Sequence, residues 1–210
     1  MTTYDVAEKF HSVQGEGMYA GTPMAFIRFV GCSVGKKICQ YCDTDFDRPY
    51  EHLGGGDFTT EELLDFVGSY EHVCLTGGEP LDQPELHALI GALSAEGCTT
   101  HIETSGTIVP EWLADSGVFL TVCPKPGWKP EIIEMADEVK VIVPGLGNTL
   151  GWPTIRNAKL WAQGGKVVYL QPRNAKLDID YNHLRVCEEL CKQNPELRLS
   201  VQLHKILRVR

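Results

Sequence analysis

The stretch Gly31-Cys32-Ser33-Val34-Gly35-Lys36-Lys37-Ile38-Cys39-Gln40-Tyr41-Cys42-Asp43-Thr44-Asp45 gathers three cysteines into one short polar segment. Six residues separate the first two, and two separate the last two. A two-residue gap lets neighbouring thiolates point at one metal centre, and thiolates are soft ligands that suit zinc or an iron–sulfur cluster. A closed zinc site normally takes four protein ligands. Three local cysteines therefore leave two readings open. One is a zinc knuckle completed by a remote Cys or His. The other is a cluster with one iron open to a small molecule.

Upstream of this segment, residues 23–30 read as a strand, with Phe26, Ile27, Phe29 and Val30 apolar. Arg28 interrupts the run, and a guanidinium there needs an acidic partner or a bound anion. Before it, Phe10-His11-Ser12-Val13-Gln14-Gly15-Glu16-Gly17 ends a first extended run, and its glycines allow close approach of a ligand to the backbone. Downstream, Glu51-His52-Leu53-Gly54-Gly55-Gly56 reads as a flexible surface excursion. Thr59 then caps a helix, with Glu62 as reciprocal partner.

From there strand and helix alternate. The strand candidates are 72–76, 99–104, 118–122, 138–143, 166–170 and 197–202. The helical candidates are 84–96, 110–115, 129–136, 152–162 and 179–193. In the first of these, Leu86, Leu89, Ile90 and Leu93 share one face. Alternation implies a mostly parallel sheet with right-handed crossovers. Six or seven strands are too few for a closed eightfold barrel. The expected fold class is α/β, a partial, open parallel β/α barrel of about six repeats; a flat doubly wound sheet is the second choice.

Length bounds the rest. The chain has 210 residues, 43% of them hydrophobic, with no internal repeat or linker. It is expected to be a single domain, 1–210. A formal charge of −9 disfavours nucleic acid as a partner. No segment resembles a signal peptide or a spanning helix, so a cytoplasmic chain without a membrane partner is expected. Its eight cysteines should then be reduced or metal-bound. Cys74 and Cys98 lie in apolar runs, and Cys187 and Cys191 are one helical turn apart, as in a core stripe.

The strand ends weigh against a structural knuckle. Ligands of parallel α/β folds bind at carboxyl ends of strands. Those ends carry Thr76-Gly77-Gly78-Glu79-Pro80, Glu103-Thr104-Ser105-Gly106, Cys123-Pro124-Lys125 and Gln171-Pro172-Arg173-Asn174, and Lys140 lies within a strand. So many polar groups in one place point to a common ligand.

The cysteine loop followed by the Gly-Gly-Glu-Pro run resembles the radical S-adenosylmethionine (SAM) superfamily. Within it, the chain resembles the 7-carboxy-7-deazaguanine synthase (QueE) family. The matching runs are Ser12-Val13-Gln14-Gly15-Glu16-Gly17, Arg28-Phe29-Val30-Gly31-Cys32, Cys42-Asp43-Thr44, Glu103-Thr104-Ser105-Gly106, Cys123-Pro124-Lys125, Gln171-Pro172 and Gln202-Leu203-His204-Lys205. Two features depart from the usual pattern: the six-residue gap between Cys32 and Cys39, and Cys123 where the family commonly has serine.

The resemblance implies a 4Fe-4S cluster on Cys32, Cys39 and Cys42, with SAM on the open iron. Tyr41, Cys42, Asp43, Gly78, Glu79, Glu103, Ser105, Cys123, Pro124, Lys125, Gln171, Pro172, Arg173 and Asn174 would surround SAM. The implied reaction turns 6-carboxy-5,6,7,8-tetrahydropterin into 7-carboxy-7-deazaguanine with release of ammonia, started by a 5′-deoxyadenosyl radical. Val13, Gln14, Gly15, Glu16, Arg28, Thr76, His204 and the Arg210 carboxylate would hold the pterin. Thr44 would bind Mg2+, a hard ion suited to a hydroxyl oxygen. The resemblance also implies an electron donor such as flavodoxin or ferredoxin, and a homodimer. Two other readings remain at this stage: a radical SAM activase of a glycyl-radical enzyme, and a non-catalytic zinc-binding interaction module.

Overall fold

The computed structural model describes residues 2–39, 42, 47, 50–143, 151–174 and 178–209. Among them, β1 (Thr3–Val13), β2 (Pro23–Phe29) and β3 (Gly56–Thr59) precede a repeating part. That part runs α1 (Thr60–Val67), β4 (His72–Gly77), α2 (Leu86–Ala95), β5 (Thr99–Thr104), β6 (Phe119–Val122), α3 (Pro130–Met135), β7 (Glu138–Val143), α4 (Ile155–Gln163), β8 (Val167–Pro172), α5 (Tyr181–Gln193), β9 (Arg198–Leu199) and α6 (Leu203–Leu207).

All nine strands join one sheet in the order β3-β1-β2-β4-β5-β6-β7-β8-β9. The pairings of β1 with β2 and β3 are antiparallel. Every pairing from β2–β4 to β8–β9 is parallel. The sheet is an open, partial β/α barrel, as the alternation implies.

Strand periodicity sorts the two faces. Ile27, Leu75, Ile102, Val139, Val141 and Leu170 belong to one buried core with Leu63, Leu86, Leu89, Leu93, Ile132 and Cys187 from the helices. Each fully buried aliphatic side chain contributes ~1.5–3 kcal/mol. Alternate residues point the other way. On β7, Glu138 and Lys140 therefore share the face opposite Val139 and Val141. The register then sets Arg28 beside Thr76, Glu103 beside Thr121, and Thr121 beside Glu138. The concave face is polar because these strands put their charged residues at matching phases.

At the end away from the strand tips this face is closed by aromatic groups. Tyr19 packs edge-on against His101 and Phe119, at 4.5 and 4.8 Å between centroids, and His72 Nδ1 lies 3.0 Å from His101 Nε2.

The helix caps agree with the sequence. Thr59 and Glu62 form the reciprocal box of α1, with Glu62 N–H donating to Thr59 Oγ1 and Thr59 N–H to Glu62 Oε2. Leu86, Leu89, Ile90 and Leu93 are all buried on α2. All eight cysteines are free thiols.

Two local expectations are corrected. The glycine-rich segment after Tyr50 is not a loose excursion. Tyr50 N–H donates to the Ala7 carbonyl at 2.9 Å, a Cβ on Gly55 would strike that same carbonyl, and Gly56 begins β3. Residues 197–202 do not form one long final strand. Only Arg198 and Leu199 pair with β8, and Gln202 is already the N-cap of α6. Among the described residues no helix is long and apolar enough to cross a membrane.

Candidate active site

The cysteine loop leaves the sheet at the end of β2. It is fastened to the turn after β4 by backbone contacts. Gly78 N–H donates to the Phe29 carbonyl at 3.3 Å, and Glu79 N–H to the Gly31 carbonyl at 3.1 Å. Asp82 Oδ2 accepts from Ser33 N–H at 2.7 Å. The paired glycines are explained by this approach. Gly77 has φ +140°, outside the usual range of other residues. A Cβ on Gly78 would fall onto the Gly31 carbonyl oxygen and the Cys32 Cβ.

Glu79 is fully buried and turned into the protein. Its oxygens accept from Thr104 Oγ1 at 2.7 Å, Ser105 N–H at 2.8 Å, Leu81 N–H at 3.1 Å and Ser105 Oγ. Burial pushes its carboxyl up, against the pull of these hydrogen bonds. Glu79 thus positions the β5 end, and its neighbour Gly78 lines the cavity.

That cavity has two lobes at the strand tips. The first, about 200 Å³, is lined by Cys32, Cys39, Cys42, Gly78, Glu103, Ser105, Cys123, Lys125, Gln171, Pro172, Arg173 and Asn174 among others. Val34, Gly35, Thr104, Ile142, Gln202 and Lys205 complete it. Gly35 N–H donates to Cys32 Sγ at 3.5 Å. Burial raises the Cys39 thiol to about 11; Lys125 opposes the rise, and Cys123, Cys42 and Cys32 add to it in that order. Cys123 and Lys125 are paired, with Lys125 Nζ 2.9 Å from Cys123 Sγ.

Among the described residues no three His, Cys, Asp or Glu side chains converge as for one metal ion. Cys32, Cys39 and Cys42 all line the first lobe, and thiolates are the usual ligands of iron–sulfur clusters.

The second lobe, about 920 Å³, is lined by Val13, Gln14, Gly15, Glu16, Arg28, Thr76, Glu103 and His204. Glu8, Phe10, Phe26, Tyr50, His52, Leu53, Cys74, Asp178, Gln202, Lys205, Arg208 and Val209 join them. The acidic partner that Arg28 requires is Glu8, opposite it on β1: Arg28 Nε donates to Glu8 Oε1 at 2.7 Å. A Cβ on Gly15 would strike the His204 ring, and Leu203 N–H donates to the Gly15 carbonyl at 2.8 Å, so α6 is seated on the Gly-Glu-Gly turn.

Glu103, Gln202 and Lys205 line both lobes. Between the lobes runs one hydrogen-bonded chain. Asn174 Nδ2 donates to Gln202 Oε1 at 2.9 Å, and Gln202 Nε2 to Glu16 Oε1 at 2.6 Å. Lys140 Nζ donates to Glu16 Oε2 at 2.6 Å and to Glu103 Oε2 at 2.5 Å. Gln14 Nε2 donates to Glu103 Oε1 at 3.2 Å. Burial alone would lower Lys140, but Glu103 and Glu16 outweigh it and hold the ammonium well above the usual lysine range. Burial pushes the other way on Glu16, yet Lys140 and Gln202 bring it down to about 2. Glu103 is raised, by burial first, with Glu16 and Glu138 adding to it.

The expected site residues therefore meet at one end of the sheet. Glu79, expected beside SAM, and Pro124 are buried outside the lining, and Tyr41, Asp43, Thr44 and Arg210 lie outside the described residues. Lys140 is the group that sequence reading undervalues. Its one signal is a lysine inside an otherwise apolar strand. Tyr50, His52 and Leu53 had no signal, because their segment reads as a turn.

The geometry agrees with what the chain is similar to. The model of the Radical SAM superfamily matches residues 26–117. The 7-carboxy-7-deazaguanine synthase of Burkholderia multivorans is 32% identical, covering 99% of each chain. That of Bradyrhizobium diazoefficiens is 34% identical, covering 99% of this chain and all of its own. The crystal structure of QueE from Escherichia coli superposes with a TM-score of 0.72 at 29% identity, covering 96% of this chain and 95% of that one.

Proposed function

Since the chain belongs to the 7-carboxy-7-deazaguanine synthase family of the radical SAM superfamily, we propose that it converts 6-carboxy-5,6,7,8-tetrahydropterin to 7-carboxy-7-deazaguanine and ammonia. The observation that carries this reading is the two-lobed cavity. Cys32, Cys39 and Cys42 stand in one lobe, and Arg28 and Glu16 stand in the other. We read the chain as one domain, 1–210, supported by a single sheet that runs from Thr3 to Leu199.

Cys32, Cys39 and Cys42 hold a 4Fe-4S cluster, and Gly78, Glu103, Ser105, Cys123, Lys125 and the 171–174 turn surround SAM. When bound, the cluster and SAM supply the one-electron chemistry that starts the ring contraction. The chain's own residues bind and orient. Glu79 keeps the Ser105 backbone in place beside the first lobe. Glu8 orients the Arg28 guanidinium, whose planar fork suits the pterin carboxylate. Val13, Gln14, Gly15, Glu16, Thr76 and His204 hold the ring edge. Lys140 fixes Glu16 and Glu103 where the lobes meet. Arg210 is assigned to the same lobe by family resemblance, and Thr44 to a Mg2+ ion. A flavodoxin or ferredoxin donor and a homodimer complete the reading.

The test is an anaerobic assay with 6-carboxytetrahydropterin, SAM, Mg2+ and a reductant, following 7-carboxy-7-deazaguanine and ammonia. Alanine at Cys32, Cys39 or Cys42 should abolish SAM cleavage, and Cys187→Ala should leave it. Thr44→Val should lose most of the Mg2+ stimulation. A colourless protein that carries zinc and forms no product would overturn the reading in favour of a binding module.

A further inference from the structure

The proposed function takes three of the four cysteines that line the first lobe as cluster ligands. The fourth, Cys123, follows β6 directly and is held from several sides. Its N–H donates to the Thr104 carbonyl at 2.8 Å, and Lys125 N–H donates to the Ser105 carbonyl at 3.0 Å. Lys125 Nζ then reaches back to the Cys123 carbonyl at 2.8 Å and to its Sγ at 2.9 Å. Cys123 lines the same lobe as Cys32, Cys39 and Cys42. It is therefore a fixed group among the cluster ligands.

Three protein thiolates leave one iron of a four-iron cluster without a protein ligand, and a soft metal centre prefers sulfur to water. A fourth sulfur confined to the same 200 Å³ lobe has a high effective concentration at that iron.

Resting on the function proposed above, we propose that Cys123 ligates the iron left open by Cys32, Cys39 and Cys42 while SAM is absent, and that SAM displaces it. On ligation the Sγ–H bond breaks, the proton leaves to solvent and an Fe–Sγ bond forms. On displacement the Fe–Sγ bond breaks, the amino and carboxylate groups of SAM take the position, and the sulfur takes back a proton beside Lys125. No electron moves in either step. The capped cluster keeps its fourth iron, and SAM binds more weakly by the fraction of enzyme that is uncapped.

Mössbauer spectra of 57Fe-reconstituted wild type and Cys123→Ala, each with and without SAM, test this directly. SAM-free wild type should show four sulfur-coordinated irons, and a distinct iron should appear only when SAM is added. SAM-free Cys123→Ala should show the distinct iron from the start. It should also lose that iron to ferricyanide, giving the 3Fe-4S signal in electron paramagnetic resonance that wild type resists. SAM should bind Cys123→Ala roughly tenfold tighter if a tenth of the wild type is uncapped. A distinct iron in SAM-free wild type, or equal 3Fe-4S yields, would overturn the proposal. If Cys123→Ala does not fold, the wild-type spectra alone decide. A wild type that holds no cluster at all would count against the proposed function itself.

Discussion

Lys140 serves two carboxylates, and this inequality is testable. Its side chain is 2% exposed, so Glu16 and Glu103 share one ammonium out of reach of bulk water. Glu16 falls from 4.5 to about 2. Its contribution to stability is present above 4.5 and is lost as pH falls through about 2. By linkage a depression of that size is worth ~3 kcal/mol. Glu103 is raised, so its contribution has the opposite sign, present below 4.5 and lost as pH rises through its folded value. At pH 7, Glu16→Gln should therefore lower the urea midpoint well below that of Glu103→Gln. Equal midpoints would mean that the two carboxylates are equivalent. Arg28→Met should raise the KM for the pterin and leave SAM affinity intact. An unchanged KM would make Arg28 a partner of Glu8 and nothing more. Glu16, Glu103 and Lys140 are each visible in the sequence as polar residues in telling places. That one amine joins them is not visible, because the strand register across β5, β6 and β7 brings them together. Glu79 shows the same limit. A Gly-Gly-Glu-Pro run is compatible with a carboxylate facing a ligand or facing the fold, and only the turn after β4 decides.

At the scale of elements, alternation was the strongest signal. β4, β5 and β7 lie where their apolar phases put them, and the Thr59–Glu62 box opens α1. The failures have one cause. Gly54, Gly55 and Gly56 have the composition of a loop, yet β1 recruits the last of them into β3. Residues 197–202 have the composition of a strand, but β8 offers partners to only two of them. Edge pairing is a tertiary decision, and local sequence does not encode it. The contact between the β4 turn and the cysteine loop is also tertiary, and it makes a sharp prediction. Gly78→Ala has no room beside Gly31 and Cys32. The collision should cost ~1–3 kcal/mol and reduce the iron bound per chain. Gly91→Ala, on the open side of α2, should do neither. Full iron content in Gly78→Ala would mean that the two turns separate easily.

For the whole molecule, acid sensitivity has a second source, on the concave face but outside the residues that line the cavity. His101 is 3% exposed, and burial, with His72 beside it, lowers it to about 4. Unfolded histidine titrates near 6.5, so the native state binds fewer protons between those values. Stability must then fall as pH drops from 6.5 to 4, by up to ~3 kcal/mol. His101→Gln should flatten that limb in urea titrations at stepped pH, and an unchanged slope would assign it to other groups.

The fastening of the cysteine loop has a consequence for how the protein matures. The bonds that hold its start run from Phe29, Gly31 and Ser33 to Gly78, Glu79 and Asp82, and none uses a thiol. The sheet and its core owe nothing to the cysteines of that loop. Small zinc modules behave oppositely, because metal binding supplies their folding free energy. Here the apoprotein should keep the far-ultraviolet circular dichroism of the loaded form and a cooperative melt. Collapse of the spectrum on iron removal would show otherwise. Biogenesis then has a fixed order, chain first and cluster second, and the interval between translation and iron delivery can be of any length.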